Sequence, residues 1–365
     1  MISSLFTPFT CGSLTVGNRI AMAPMTRSHS PDGVPSVEMA EYYQRRAANG
    51  VGLIISEGTG IKRPSALNDP NVPHFYGTCA LEGWSRTLAG VHRAGGRMAP
   101  QLWHVGSMPH VRDEWTSPHP VESPSGLVAP GQKIGRAMTE EDIADSTAAF
   151  ADAAASAVRL GFDAIEIHGA HGYLIDQFFW AGTNERTDAF GGMTLSDRTK
   201  FAAHVIRAVR AVMPAEMPLI LRISQFKQQD YAVRLAHTPD EMLDWLSPLA
   251  DAGVSIFHCS QRRFWEAEFD GDDRNFAGWV KKLICLPTIT VGSVGLAADV
   301  SSSYSGEHSK PAPLEELVRR FERGDFDLVA VGRALLQDPA WAAKIEAGRV
   351  NELMDFDPAT MRVLT

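Results

Sequence analysis

Cysteine is scarce and scattered. The chain has four, Cys11, Cys79, Cys259 and Cys285, and no Cys-x-x-Cys among them. A disulfide scaffold, a zinc knuckle or an iron–sulfur cluster would each need closer or more numerous thiols. Reduced, structural cysteines are the expectation. An excess of positive charge is missing too: 34 Lys and Arg against 43 Asp and Glu leave a formal charge of −9. That argues against nucleic acid or an anionic membrane surface as the main partner. No segment approaches the roughly twenty apolar residues of a membrane span. The first residues, Met1-Ile2-Ser3-Ser4-Leu5-Phe6-Thr7-Pro8, have neither a basic start nor an apolar run, so a cytoplasmic protein is expected. Short-period repeats, low-complexity tracts and a Rossmann glycine fingerprint are also lacking.

What is present is ordinary globular material, 44% hydrophobic and 21% charged over 365 residues, with ample apolar side chains for a large core. Eight short apolar runs recur. They centre on Ile20–Ala23, Gly52–Ile55, Met98–Leu102, Ala164–Ile167, Leu219–Arg222, Ser255–His258, Thr288–Val291 and Leu328–Val331. Nearly continuous apolar runs suit strands covered on both faces. Helical stretches lie between them. Thr139-Glu140-Glu141-Asp142 opens one, with Phe150, Ala154, Ala157 and Val158 at helical spacing and Gly161 as its stop. Thr238-Pro239-Asp240-Glu241 opens another. Eight strand–helix alternations without a linker predict an α/β fold: a (β/α)8 TIM barrel in a single domain over residues 1–365. A doubly wound open sheet is the alternative. Long connections follow the third strand (His104 to about Met138) and the fourth (Gly169 to about Thr194), where barrels place function. Ser301–Pro313 reads as a surface loop.

Strand parity then selects residues, because alternate side chains face opposite sides. Helices outside the barrel want Ile165, Ile167, Leu219, Leu221 and Ile223, so Glu166, His168, Ile220, Arg222 and Ser224 should point inward. The same parity joins Gln101 to Trp103 and sets Glu57 at the end of the second run. An amide, an imidazole, a guanidinium and a carboxylate thus converge on one mouth. Unpaired buried polar groups cost about 1–3 kcal/mol each, so such a ring needs a polar ligand or mutual pairing. The pairing that would suffice is Arg222 with Glu57 or Glu166. The last two strands end in Val291-Gly292-Ser293-Val294-Gly295 and Val331-Gly332-Arg333. Glycines that admit close backbone approach, beside an arginine, mark the usual phosphate site of such barrels.

Together these motifs resemble the Old Yellow Enzyme family of FMN-dependent ene-reductases over nearly the whole length. The resemblance begins with Leu5-Phe6-Thr7-Pro8-Phe9 and Asn18 to Arg27, and continues through Glu57-Gly58 and Gln101-Leu102-Trp103-His104. Its most specific part is His168-Gly169-Ala170-His171-Gly172-Tyr173-Leu174-Ile175-Asp176-Gln177-Phe178-Phe179, followed by Asn184-Glu185-Arg186-Thr187-Asp188. By that likeness Pro24, Met25, Thr26, Gly58, Gln101 and Arg222 would contact the flavin. Gly292, Ser293, Gly332 and Arg333 would hold the FMN phosphate. His168 and His171 would bind the oxygen of an α,β-unsaturated carbonyl or nitro compound, Trp103 would wall the pocket, and Tyr173 would deliver a proton. NADPH or NADH would be the reductant. One subgroup has Cys at the Thr26 position; Thr26 with Trp103 resembles the other. Some relatives have Asn where His171 stands.

Other readings stay open at this level. His168-x-x-His171 could bind metal, but a metal-dependent barrel would usually carry a His-x-His on an early strand, and no metal is expected. A non-redox lyase or hydrolase acting on a phosphorylated substrate would share the glycine turns. So would a flavin-binding protein with little turnover. Ser224-Gln225-Phe226-Lys227-Gln228-Gln229-Asp230 and Gln261 to Glu266 depart from the family pattern, and both follow strand ends. Monomer or homo-oligomer is undecided.

Overall fold

The computed structural model describes residues 2–112, 114–115 and 117–365. Met1 of the expected domain, and Asp113 and Thr116 of the long third connection, lie outside the described residues. Eight parallel strands close into a barrel: β1 (Ile20–Met22), β2 (Leu53–Gly60), β3 (Arg97–Trp103), β4 (Ile165–His168), β5 (Leu219–Ser224), β6 (Ile256–Ser260), β7 (Thr288–Val291) and β8 (Leu328–Val331). Each pairs with its neighbour in sequence, and β8 returns to β1 through Val329–Ile20, Ala330–Ala21 and Val331–Met22. All eight apolar runs became barrel strands, and the open sheet is set aside.

The helices follow the strands: α1 (Val37–Ala48), α2 (Thr78–Arg93), α3 (Glu140–Leu160), the short α4 (Leu174–Phe179), α5 (Lys200–Val212), α6 (Pro239–Asp251), α7 (Phe276–Ile284), the short α8 (Val300–Tyr304), α9 (Glu315–Arg323), α10 (Arg333–Gln337) and α11 (Trp341–Glu346). α3 starts and stops for the reasons visible in sequence. Thr139 and Asp142 form a reciprocal capping box, and Gly161 takes the left-handed conformation past its end. Among the described residues, no helix is long and apolar enough to cross a membrane.

Parity divides the core in two. Leu219, Leu221, Ile223, Ile165 and Ile167 pack with the helices. Leu53, Ile55, Ala99, Ile220, Ile256, Ile289 and Leu328 fill the barrel's interior, where Phe9, Leu14 and Val16 of an N-terminal hairpin join them. Burying an aliphatic side chain of this size is worth about 1.5–3 kcal/mol. The interior is therefore greasy through the hairpin and the middle, leaving polar residues to the carboxyl ends.

The two long connections are structured. Between β3 and α3, Glu122–Ser123 pairs with Arg136–Ala137, and Leu127–Ala129 with Gln132–Lys133. Glu122 is fully buried and holds this excursion to the barrel. It accepts from Arg63 Nε at 2.7 Å, pairs with Arg136, and lies 3.4 Å from His104 Nε2. Burial alone would raise its pKa, but the hydrogen bonds from His104 and Arg63 outweigh that and hold it at about 2. The segment expected as a plain surface loop, Ser301–Pro313, instead begins within α8. Asp299 caps that turn by accepting the Ser301 N–H, Val300 and Tyr304 border the cavity, and the segment beyond Tyr304 is the largely exposed loop that was expected.

Removing a buried ion-pair partner leaves the other charges unmatched, so Glu122→Ala should cost about 3–5 kcal/mol at neutral pH in urea unfolding. The native protein's Glu122 contribution is complete above the usual carboxylate pKa of 4.5 and is lost as pH falls towards 2. An unchanged unfolding midpoint at pH 7 would refute the anchoring role.

Candidate functional site

The carboxyl ends of the strands and the loops beyond them enclose a cavity of about 650 Å³, within the range of small-molecule and cofactor sites. Pro24, Met25, Thr26, Gly58, Gln101, Trp103, His168, His171, Tyr173, Arg222, Gly292, Ser293, Gly332 and Arg333 all line it. The structure thus gathers every residue singled out for cofactor or substrate.

Glu57 is the exception among the polar strand-end groups. A register shift between Ile55 and Gly58 puts one extra residue into β2, and such a bulge reverses the parity beyond it. Gly58 therefore faces the cavity, where an added Cβ would lie 2.6 Å from the Trp103 ring. Glu57 turns away and accepts the backbone N–H groups of Arg27 (2.8 Å) and Ser28 (3.3 Å). Burial raises its pKa to about 7 against those hydrogen bonds. It shapes the Pro24–Ser28 loop without entering the site.

The carboxylate on the inside is Glu166. Its oxygens take Gln101 Nε2 at 2.7 Å and His258 Nδ1 at 2.7 Å. Neither expected partner of Arg222 is used: Glu57 binds a loop and Glu166 binds an amide and an imidazole. Arg222 is buried, its Nε lacks a hydrogen-bond partner, and the same is true of His258 Nε2. Burial lowers the Arg222 pKa, with Glu166 opposing. A buried cation with an open donor is a demand for an acceptor in the cavity. His258 escaped the sequence reading, although Ile256 and His258 obey the same alternation.

His168 Nδ1 accepts the Ala170 N–H at 3.3 Å, so the ring's hydrogen sits on Nε2. Burial first, then Arg222 and His258, push its pKa well below the ordinary value; burial and Arg222 do the same for His171. Both imidazoles are neutral at physiological pH. The rings lie 5.2 Å apart, nearly perpendicular. His171 adopts φ +65° and is held from outside its own loop. Ser224 Oγ accepts its N–H at 2.9 Å, and Ser260 Oγ meets its Nε2 at 2.8 Å. Tyr173 packs its ring against Trp103 and His168 at 4.8 and 4.9 Å. Burial pushes its phenol up to about 12, with a hydrogen bond from Gln228 acting the other way.

At the opposite side of the mouth, Gly292 has φ +149° and Ser293 φ +53°. A side chain on Gly292 would strike the Gln261 carbonyl at 2.4 Å. Arg333 is fixed beside them by the carbonyls of Asp299 (2.9 Å) and Ala298 (2.6 Å) and by Ser303 Oγ (2.7 Å). Ser293, Gly332 and Arg333 thus form a backbone concavity with a pinned cation, suited to a phosphate. Loops that sequence reasoning could not assign also line the mouth: Phe226, Gln228 and Tyr231 after β5, Gln261 and Arg262 after β6, and Val300 and Tyr304 of α8.

Residues 4–352 match the family model described as the NADH:flavin oxidoreductase / NADH oxidase family. The chain belongs to the Old Yellow Enzyme family. It is 30% identical to 12-oxophytodienoate reductase 7 of Oryza sativa subsp. japonica, covering 92% of this chain and 86% of that one. It is 33% identical to an NADPH dehydrogenase of Clostridium acetobutylicum, covering 92% of each. Among solved structures, the Old Yellow Enzyme homologue of Zymomonas mobilis superposes with a TM-score of 0.81 at 26% identity, covering 99% of this chain and 97% of that one. Morphinone reductase in complex with tetrahydroNAD gives 0.78 at 29%, covering 98% and 94%. This Old Yellow Enzyme homologue is therefore a flavin oxidoreductase with FMN and NAD(P)H as its cofactors, and the non-redox barrel is set aside.

The residues present fit FMN. The cavity offers an unpartnered buried guanidinium nitrogen, a glycine-floored face at Gly58 and a phosphate cradle at the two last strands. Charge-assisted hydrogen bonds contribute about 1.5–3 kcal/mol, so Arg333→Ala should weaken FMN binding roughly ten- to hundredfold. Fluorescence titration of the flavin-free protein measures it, and wild-type affinity in the variant would move the phosphate elsewhere.

Proposed function

We propose that the chain is an ene-reductase, reducing the activated C=C bond of an α,β-unsaturated carbonyl or nitro compound at the expense of NADPH or NADH. One observation carries the reading. Two neutral histidines and a protonated phenol meet at one wall of the flavin-sized cavity, opposite the phosphate cradle.

Bound FMN supplies the hydride, taken from the nicotinamide. The side chains do the rest. His168 Nε2–H, and His171 beside it, donate to the substrate oxygen and stabilise the negative charge that grows there as the β-carbon is reduced. Neutral imidazoles suit this task, since they donate hydrogen bonds without giving up a proton. Tyr173, still protonated far above neutral pH, gives its proton to the α-carbon. Trp103 holds the phenol edge-on. Arg222 would present a fixed positive charge to the bound flavin, and Gln101, locked by Glu166, would present its amide oxygen. Pro24, Met25 and Thr26, which line the same cavity, would border the flavin's ring system, with the Thr26 hydroxyl placed to tune it.

The test is anaerobic. The yellow protein should bleach with NADPH or NADH and recover its colour with cyclohexenone, a nitroalkene or a maleimide. Reduction without acceleration of reoxidation by any of these would leave only a flavin carrier. Tyr173→Phe should slow reoxidation by the enone about a hundredfold or more while sparing reduction by the nicotinamide. Equal loss in both half-reactions would overturn the assignment of Tyr173.

A further inference from the structure

The loop after β5, one of the two segments whose sequence departs from the family pattern, touches both His171 and Tyr173. Phe226 stacks on the His171 ring with centroids 5.3 Å apart. Lys227, fully buried, reaches Asp176 of α4 at 2.6 Å, and that carboxylate's other oxygen accepts the Gly172 N–H at 2.7 Å, between His171 and Tyr173. The Gln228 N–H donates to the His171 carbonyl at 3.4 Å. At the end of this clasp, Gln228 Nε2 donates to the Tyr173 phenolic oxygen at 3.1 Å.

The polarity of that last bond matters. A phenol has one hydrogen to give and lone pairs to accept with. A neighbour that accepted would capture the hydrogen that the reaction needs; a neighbour that donates leaves it free. We propose that Gln228 is a positioning residue for proton delivery: its amide N–H occupies a lone pair of Tyr173, directs the phenolic hydrogen towards the substrate, and stabilises the phenolate left behind. The inference rests on Tyr173 being the proton donor. In the step itself the tyrosine O–H bond breaks and a C–H bond forms from the enolate electron pair. The phenolate then recovers its proton from solvent. The Lys227–Asp176 pair holds the loop so that Gln228, itself exposed, keeps this register.

The test compares holoenzyme variants by the rate of reoxidation with cyclohexenone divided by the rate of reduction with NADPH in the same sample. Gln228→Leu should lower this ratio about tenfold, the scale of a misdirected reacting group. Gln228→Glu should lower it further at pH 8, where the carboxylate accepts the phenol's hydrogen bond and turns that hydrogen away from the substrate. It should then recover as pH falls through the glutamate range near 4–5, where the protonated carboxyl can donate again. His168, His171, Arg222, Tyr231 and Tyr304 are the other titratable or charged groups around the phenol; they are common to all variants and cancel in the comparison. A second signature does not depend on turnover: the Tyr173 Cζ resonance should shift downfield in Gln228→Glu at pH 8, where the neutral phenol donates its hydrogen bond to the carboxylate, and not in Gln228→Leu.

The double variant Tyr173→Phe/Gln228→Leu should be no slower than Tyr173→Phe alone, because the amide acts through the phenol. A further tenfold loss in the double variant would overturn the inference. So would wild-type ratios in both Gln228 variants alongside a slow Tyr173→Phe. A wild-type ratio in Tyr173→Phe itself would instead overturn the proton-donor assignment on which the inference stands.

Discussion

Closure of eight parallel strands around an apolar interior constrains everything else in this molecule. Every second side chain must point into a space without water, and the strands have no edge at which a polar residue could escape. Along most of the barrel that space takes Ile220, Ile256, Ile289 and Leu328. At the carboxyl ends the same alternation delivers Gln101, Glu166, His168, Arg222 and His258 to one level. There the groups either satisfy one another or wait for a ligand. Gln101 and Glu166 do the former, joined by His258 through its Nδ1; Arg222 Nε and His258 Nε2 do the latter. The site is thus a by-product of barrel geometry put to chemical use.

The electrostatics follow from that arrangement. Desolvation first, and the buried Arg222 guanidinium second, disfavour protonation of the buried His168 and the half-buried His171, so both stay neutral. The half-buried Tyr173 phenol beside them is kept protonated for the same reason of desolvation. One physical cause therefore provides two hydrogen-bond donors and one acid at neutral pH. The cavity's positive charge lies at Arg222 and Arg333, both of which line it.

Much of the plan was legible in the residues. All eight strands, the α3 caps and the glycine turns after the last two strands follow from local rules, since apolar periodicity, capping and glycine are read over a few residues. Inward assignment of His168 and Arg222 needed only parity. Parity failed at Glu57, because Ser56-Glu57-Gly58-Thr59-Gly60 contains a bulge, and one added residue flips the faces. The glycines were the available hint. His258 was legible by the same alternation and was passed over. The partners of Arg222 were not legible, because which buried charge meets which is decided by barrel shear and strand order rather than by sequence spacing.

What the chain's own order of residues determined is the repeating strand–helix frame, the set of polar strand ends and the family to which they belong. Tertiary structure alone decided that Glu57 turns away from the site, that Val300 and Tyr304 of α8 border the mouth, and that a buried Lys227–Asp176 pair brings Gln228 to Tyr173. Lys227 and Asp176 lie far apart in the chain, as do Gln228 and Tyr173. Contacts of that kind depend on how neighbouring strands are staggered and on where loops can pack once the barrel has closed, and no local pattern carries that information.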